Sequence, residues 1–264
     1  MLIDMHVHFF PDNVAPKVTQ QLARHYGMPV PYRGTVTEYQ TLRRRANVDA
    51  AVFFTAATKP EQVPPANLWA IQNSKDGLIG FGTLHPDYEN IDDEINRLKK
   101  AGIKGIKFHP DFQQFFLDEE KALIMYEKLA RDFILIFHIG DDQNSSKINY
   151  TSPERLAHVL ETIPNLKVIA AHMGGYQMWD RALQCLVGKK LYFDTSSCYE
   201  FLPSDKFRYM IKEHGYHKIL LGSDYPYNDP GRECSCIAKL GLKDNEYTAV
   251  IGENAKRLMA ELGI

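Results

Sequence analysis

Eight short apolar runs, separated by longer amphipathic stretches, constrain this chain more than any other feature. They occupy residues 2–8, 50–54, 78–84, 102–110, 134–138, 167–172, 191–195 and 219–224. Each is bounded by turn residues and is nearly continuous in Val, Ile, Leu, Ala and Phe, as strands buried on both faces are. The segments between them read as helices. In 14–25, Val14, Val18 and Leu22 fall at helical intervals and Gly27 supplies a stop. Further helices are expected over 35–46, 60–73, 91–100, 118–131, 152–163, from the Met173-Gly174-Gly175 run to 187, and over 204–214 and 253–262. Strand–helix alternation repeated eight times predicts a single-domain (β/α)8 TIM barrel spanning residues 1–264. An open doubly wound sheet is the structural alternative.

The polar residues fall in a pattern of their own. His6 and His8 end the first run, His109 the fourth, His138 the fifth, His172 the sixth and Asp224 the eighth. Barrel active sites form where strands end, so all six groups are expected at one mouth. Strict alternation along the first strand puts Asp4, His6 and His8 on one face, with the two imidazoles roughly 6–7 Å apart along the backbone. A histidine pair of this kind is either a metal-ligand pair or two packed side chains. The other strand ends decide for the metal. Three or four His and carboxylate ligands with room for water is the arrangement of a catalytic zinc site, and no cysteine set suggests a closed structural one. An ion so held lowers the pKa of its water from about 15.7 toward 7. Asp224 is placed both to ligate and to act as base, and His172 to polarise substrate or transfer a proton.

Composition narrows the partners. A formal net charge of -2 gives no basis for binding nucleic acid or an anionic membrane. No apolar run approaches the roughly 20 residues of a bilayer span, and the start of the chain does not read as a signal sequence. Cys185, Cys198, Cys234 and Cys236 are read as reduced thiols of a cytoplasmic protein, with Cys198 a candidate for the site rim.

The motifs IDMHVHFFP, GIKFHP, LIFHIG, VIAAHMGG, ILLGSDYP and the late IGENAKRL, in this order, resemble the amidohydrolase superfamily. Within it, the match is to the amidohydrolase-2 branch, which includes aminocarboxymuconate-semialdehyde-decarboxylase-like enzymes, and it covers nearly the whole chain. The resemblance implies one divalent metal, zinc first and manganese second, held by His6, His8, His138 and Asp224. It also implies that His172 is the catalytic histidine rather than a primary ligand. In some relatives a strand-four lysine is carboxylated and bridges two metals. Lys107 occupies that strand, so a binuclear site with His172 on the second metal is available, but the motif set resembles the mononuclear branch more closely and that form is the less favoured one. Otherwise Lys107 binds a substrate carboxylate or extends to the mouth, and His109 binds substrate or supports the ligands. A homodimer is an expectation of the resemblance alone.

The leading expectation is a hydrolase of a small amide, lactone or related carboxylic derivative, using metal-activated water. The same ligands serve a metal-dependent non-oxidative decarboxylase, and a catalytically inactive small-molecule-binding barrel is the reading from another class. Substrate choice is assigned to the loops 9–32, 112–116, 141–150 and 195–203. His85 is read as a structural strand end, and His25, His158, His214 and His217 as surface residues.

Overall fold

The computed structural model describes residues 1–141 and 148–264, so part of the loop 141–150 lies outside the described residues. Its strands are β1 (Ile3–His8), β2 (Ala50–Phe54), β3 (Leu78–Gly80), β4 (Gly82–Thr83), β5 (Gly105–Phe108), β6 (Ile134–Phe137), β7 (Lys167–Ala170), β8 (Tyr192–Asp194) and β9 (Ile219–Leu220). All pair in parallel, β1 to β3 in one run and β4 to β9 in another. The ring closes where Met5 donates to the Leu221 carbonyl (2.8 Å), Asp224 to that of His6 (2.9 Å) and His8 to that of Tyr225 (2.8 Å). Helices follow the strands, giving the (β/α)8 TIM barrel.

The third strand, expected to be continuous over 78–84, is split at Phe81. The Asn67 side chain takes the place of a neighbouring strand, accepting from Thr83 N (2.7 Å) and donating to Thr83 O (3.0 Å). The Phe81 ring turns into the barrel over Gly105, where an added Cβ would lie 2.0 Å from it. Helix starts follow the cap residues. Thr35 accepts from Glu38 N ahead of Val36–Arg45, and Ser152 accepts from Arg155 N ahead of Pro153–Thr162.

The barrel interior holds Ile3, Met5, Val52, Phe54, Ile134, Ile136, Ile169 and Leu220, with the helix Asn254–Leu262 packed against them. The alternate residues Ile106, Phe108, Leu135, Phe137, Val168 and Ala170 pack outward under the helices. Alternation fails at one place in β1. Ile3 and Asp4 pair with Ala50 and Ala51, whereas Val7 and His8 pair with Phe53 and Phe54, so β1 takes in one extra residue between. Ile3 and Met5 therefore point inward and Val7 outward. This corrects the expectation that Asp4 shares a face with His6 and His8. Asp4 instead lies outside the strand, accepting from Tyr39 OH (2.8 Å), Ser223 N (2.9 Å) and Ser223 Oγ (2.6 Å).

All four cysteines are free thiols. Cys198 packs in the core, donating to Ser196 O, rather than at the rim. No helix among the described residues is long and apolar enough to cross a membrane.

Candidate metal centre

The bulge in β1 delivers His6 and His8 together to the mouth of the barrel, facing Asp224, which follows β9. His6 Nε2, His8 Nε2 and Asp224 Oδ1 form a triangle with sides of 3.1, 3.4 and 3.4 Å. A divalent ion with bonds of about 2.1 Å separates tetrahedral ligands by about 3.4 Å and adjacent octahedral ligands by about 3.0 Å. The donor atoms are two imidazole nitrogens and one carboxylate oxygen, at the spacing such an ion sets. The group fits a metal.

The supporting contacts fix which nitrogen is free to ligate. The Asp194 carboxylate, at the end of β8, lies 2.8 Å from His6 Nδ1 and can only accept there, so His6 carries its proton on Nδ1 and leaves Nε2 bare. Burial lowers the His6 pKa to about 4 against the opposing charge of Asp194, keeping the ring neutral. Burial likewise lowers His8, with Asp224 opposing. Asp224 is pushed up by burial, but its hydrogen bond with His8 and the neighbouring His6 and His172 hold it well below the usual carboxylate range. Asp194 is also held low: burial raises it, and the neighbouring His6, whose Nδ1–H donates to it, outweighs that together with Ser196.

His172 follows β7. Its Nδ1 lies 2.9 Å from the Ser196 carbonyl, which can only accept, so Nε2 is the free nitrogen. That nitrogen is 3.1 Å from His138 Nδ1. Asp224 (φ 58°), His172 (φ 58°) and Ser197 (φ 51°) all adopt left-handed backbone that side-chain-bearing residues seldom take. Such strain costs of order 1–3 kcal/mol per residue and collects at functional sites.

Of the four ligands expected from sequence, His6, His8 and Asp224 are brought together. His138 stands one ring further out, stacked on His109 with centroids 4.0 Å apart. Its Nε2 is buried with no hydrogen-bond partner among the described residues. His109 continues the stack to Phe112 at 4.2 Å. Lys107, on β5, is 1% exposed, and its Nζ has no hydrogen-bond partner among the described residues. It lies 4.8 Å from the centre of the Phe54 ring, which also meets His6 and His8 at 4.9 and 5.0 Å. Burial lowers its pKa to about 8 against the charges of Asp194 and Asp224.

These groups open into a cavity of about 800 Å³. His25, expected at the surface, lines it. His214 is also not a surface residue: it is buried, stacked on Phe193 at 4.0 Å, with Nε2 2.9 Å from the Leu191 carbonyl. His85 is the structural strand end expected, with Nε2 3.0 Å from Gln113 O. Sequence reasoning passed over Asp194 and Ser196, although Asp194 ends its strand just as the singled-out histidines end theirs. It also gave no weight to Gly222, where an added Cβ would lie 2.7 Å from His6 Cβ. Gly222→Ala is therefore expected to displace His6 and weaken metal uptake while the barrel stays folded. Calorimetric metal titration beside circular dichroism checks it.

A parallel TIM barrel with a His/His/carboxylate cluster at its mouth defines a class of metal-dependent enzymes. The chain belongs to the Amidohydrolase family, which it matches over residues 3–259. Among solved structures it is similar to an uncharacterised TIM-barrel protein from Bordetella bronchiseptica, with 16% identity, 100% of this chain and 99% of that one covered, and a TM-score of 0.78. It is also similar to 5-carboxyvanillate decarboxylase from Sphingomonas paucimobilis, with 16% identity, 98% of each chain covered and a TM-score of 0.73. A third is a dihydroxybenzoic acid decarboxylase from Polaromonas sp. with bound manganese and the inhibitor 2-nitroresorcinol. It shares 14% identity, with 98% of this chain and 96% of that one covered and a TM-score of 0.70. No curated protein matches the chain.

Proposed function

We propose that residues 1–264 form one catalytic domain, a metal-dependent non-oxidative carboxy-lyase that removes CO2 from a small carboxylic acid. The observation that carries this is Lys107, a buried cation without a hydrogen-bond partner among the described residues, at the floor of the cavity beside the ligand triangle. An unpaired buried charge is costly and calls for an anionic substrate group. Decarboxylases among the similar structures, including the two described above, support decarboxylation over the hydrolysis expected first from sequence.

In this reading His6, His8 and Asp224 would hold the ion, with His138, whose buried Nε2 has no hydrogen-bond partner among the described residues, as the fourth ligand. The manganese of the Polaromonas enzyme favours that metal over the zinc expected from sequence. When bound, the ion supplies positive charge that anchors a substrate oxygen and takes up the charge developing in the transition state. Lys107 should hold an oxygen anion that stays with the product. Pairing it with the departing carboxylate would stabilise the reactant more than the transition state. The bond between carbon and carboxylate breaks, CO2 leaves, the electron pair remains on carbon, and that carbon takes up a proton. His172, through the Nε2 that its bond to Ser196 leaves unprotonated, and Asp224 would hold that proton. His109 positions His138 by stacking and lines the cavity.

Asp194→Asn is expected to weaken metal binding about 10–100-fold, because an amide accepts more weakly from His6 Nδ1 and no longer fixes its tautomer; metal titration reads it. The function is tested by incubating manganese-loaded protein with hydroxybenzoates and related acids, and in parallel with lactones and amides. CO2 release with loss of the carboxylate supports the reading. Ring opening or amide cleavage without CO2 would make the chain a hydrolase.

A further inference from the structure

The helix Ala15–Tyr26 has an apolar stripe that the core does not cover. Val14, Val18, Leu22 and Tyr26 recur at four-residue intervals along one face of it. In a barrel such a stripe ordinarily lies on the strands. Here Ala15 is the buried residue of the helix. Among the described residues, none of Val14, Val18 and Leu22 packs on any of the three core clusters. All four stripe residues instead line the cavity at the barrel mouth, and Pro65 and Trp69 of the helix Val63–Asn73 line it with them. The same cavity reaches His6, His8, Lys107 and Asp224. It therefore joins a charged floor to a slot with apolar walls.

The geometry points to a substrate class: carboxylic acids with an extended apolar body, which lies in the slot and covers the stripe while the carboxylate meets the ligand triangle and Lys107 faces the oxygen anion kept in the product. This rests on the carboxylic acid reading above and adds a determinant of specificity outside the reacting groups. Two observations favour a small molecule over a protein partner. The slot is continuous with the candidate metal centre, and about 800 Å³ lies within the roughly 300–1,000 Å³ of small-molecule sites. A protein partner would instead need a face burying about 800 Å² per side.

The test is calorimetric binding of straight-chain saturated acids, from butanoate to decanoate below their micelle concentrations, to the manganese-loaded full chain. These acids are not expected to lose CO2, so they read binding apart from turnover. Each added methylene placed in the slot should tighten binding about fourfold. Leu22→Asp and, separately, Val18→Asp should flatten that dependence, lowering the ratio of decanoate to butanoate affinity. A series already flat in the unsubstituted protein would overturn the inference. So would a flat series joined to a dimer that Leu22→Asp dissociates, which would assign the stripe to a second copy of the chain. A steep series with no CO2 from any acid tried would support the slot and count against the carboxy-lyase reading alone. CO2 release from compact benzoates with a flat series would keep that reading and discard the slot.

Discussion

Asp224→Asn is expected to give a folded barrel that neither retains metal nor turns over substrate. The substitution keeps the side chain's shape and its contact with Ser197. It removes the one negative charge of the ligand triangle. Loss of a direct ligand should exceed the 10–100-fold loss typical of supporting residues, so affinity is expected to fall by more than about 100-fold. His6→Ala should also abolish metal binding, but it is the less clean variant. It strips the buried Asp194 of its imidazole partner and leaves that charge on Ser196 and the His172 backbone N–H. Removing a hydrogen bond to a buried charged group costs about 1.5–3 kcal/mol. A fall in melting temperature should therefore accompany metal loss in His6→Ala and be small in Asp224→Asn. Elemental analysis and thermal unfolding of both variants check this.

Lys107→Met is the second large effect, and it acts in opposite directions on binding and on stability. Without the ammonium, an anionic substrate loses its buried counter-charge, and affinity should fall by about 10²–10⁴-fold, the equivalent of breaking a buried pair. The metal-free fold should gain. The Lys107 pKa is about 8 in the folded protein against an ordinary 10.5, so the folded state gives up this proton first as pH rises. Below about pH 8 both states hold the proton, and the folded state bears the full burial penalty, about 3 kcal/mol. Between about 8 and 10.5 the unfolded chain binds more protons, so stability climbs with pH. Denaturant titrations of metal-free protein across this range should show the climb, and Lys107→Met should remove this contribution and be more stable below pH 8.

The strands were legible because a parallel barrel buries both faces of each, leaving apolar runs that only a few polar residues can end. Those ends point to the mouth, which is why the histidines and Asp224 stood out. What stayed hidden depends on contacts distant in sequence. The extra residue in β1 moves Asp4 to the outside and turns it toward Tyr39, and no local signal marks it. Asn67 standing in for a strand at Thr83 splits the third strand across sixteen residues of separation. His214 looked like a surface residue because its helix is amphipathic, yet it reaches the Leu191 carbonyl and the Phe193 ring. The stripe of Ala15–Tyr26 has the periodicity of a core-facing helix, and only the cavity shows that it faces open space. Whether His138 turns toward the ligand triangle or toward His172 depends on a ring orientation that no sequence pattern encodes.

The central claim joins the ion to the loss of CO2, and the direct measurement is CO2 release plotted against bound metal per chain. Protein stripped of metal and reloaded stepwise with manganese would be given a carboxylic acid found active in the product screen. The account predicts no release from stripped protein, a linear rise with occupancy and a plateau at one ion per chain. Release from stripped protein, or none at full occupancy, would contradict it. A plateau at two ions would draw Lys107 and His172 into the ligand set and replace the single-ion site proposed here.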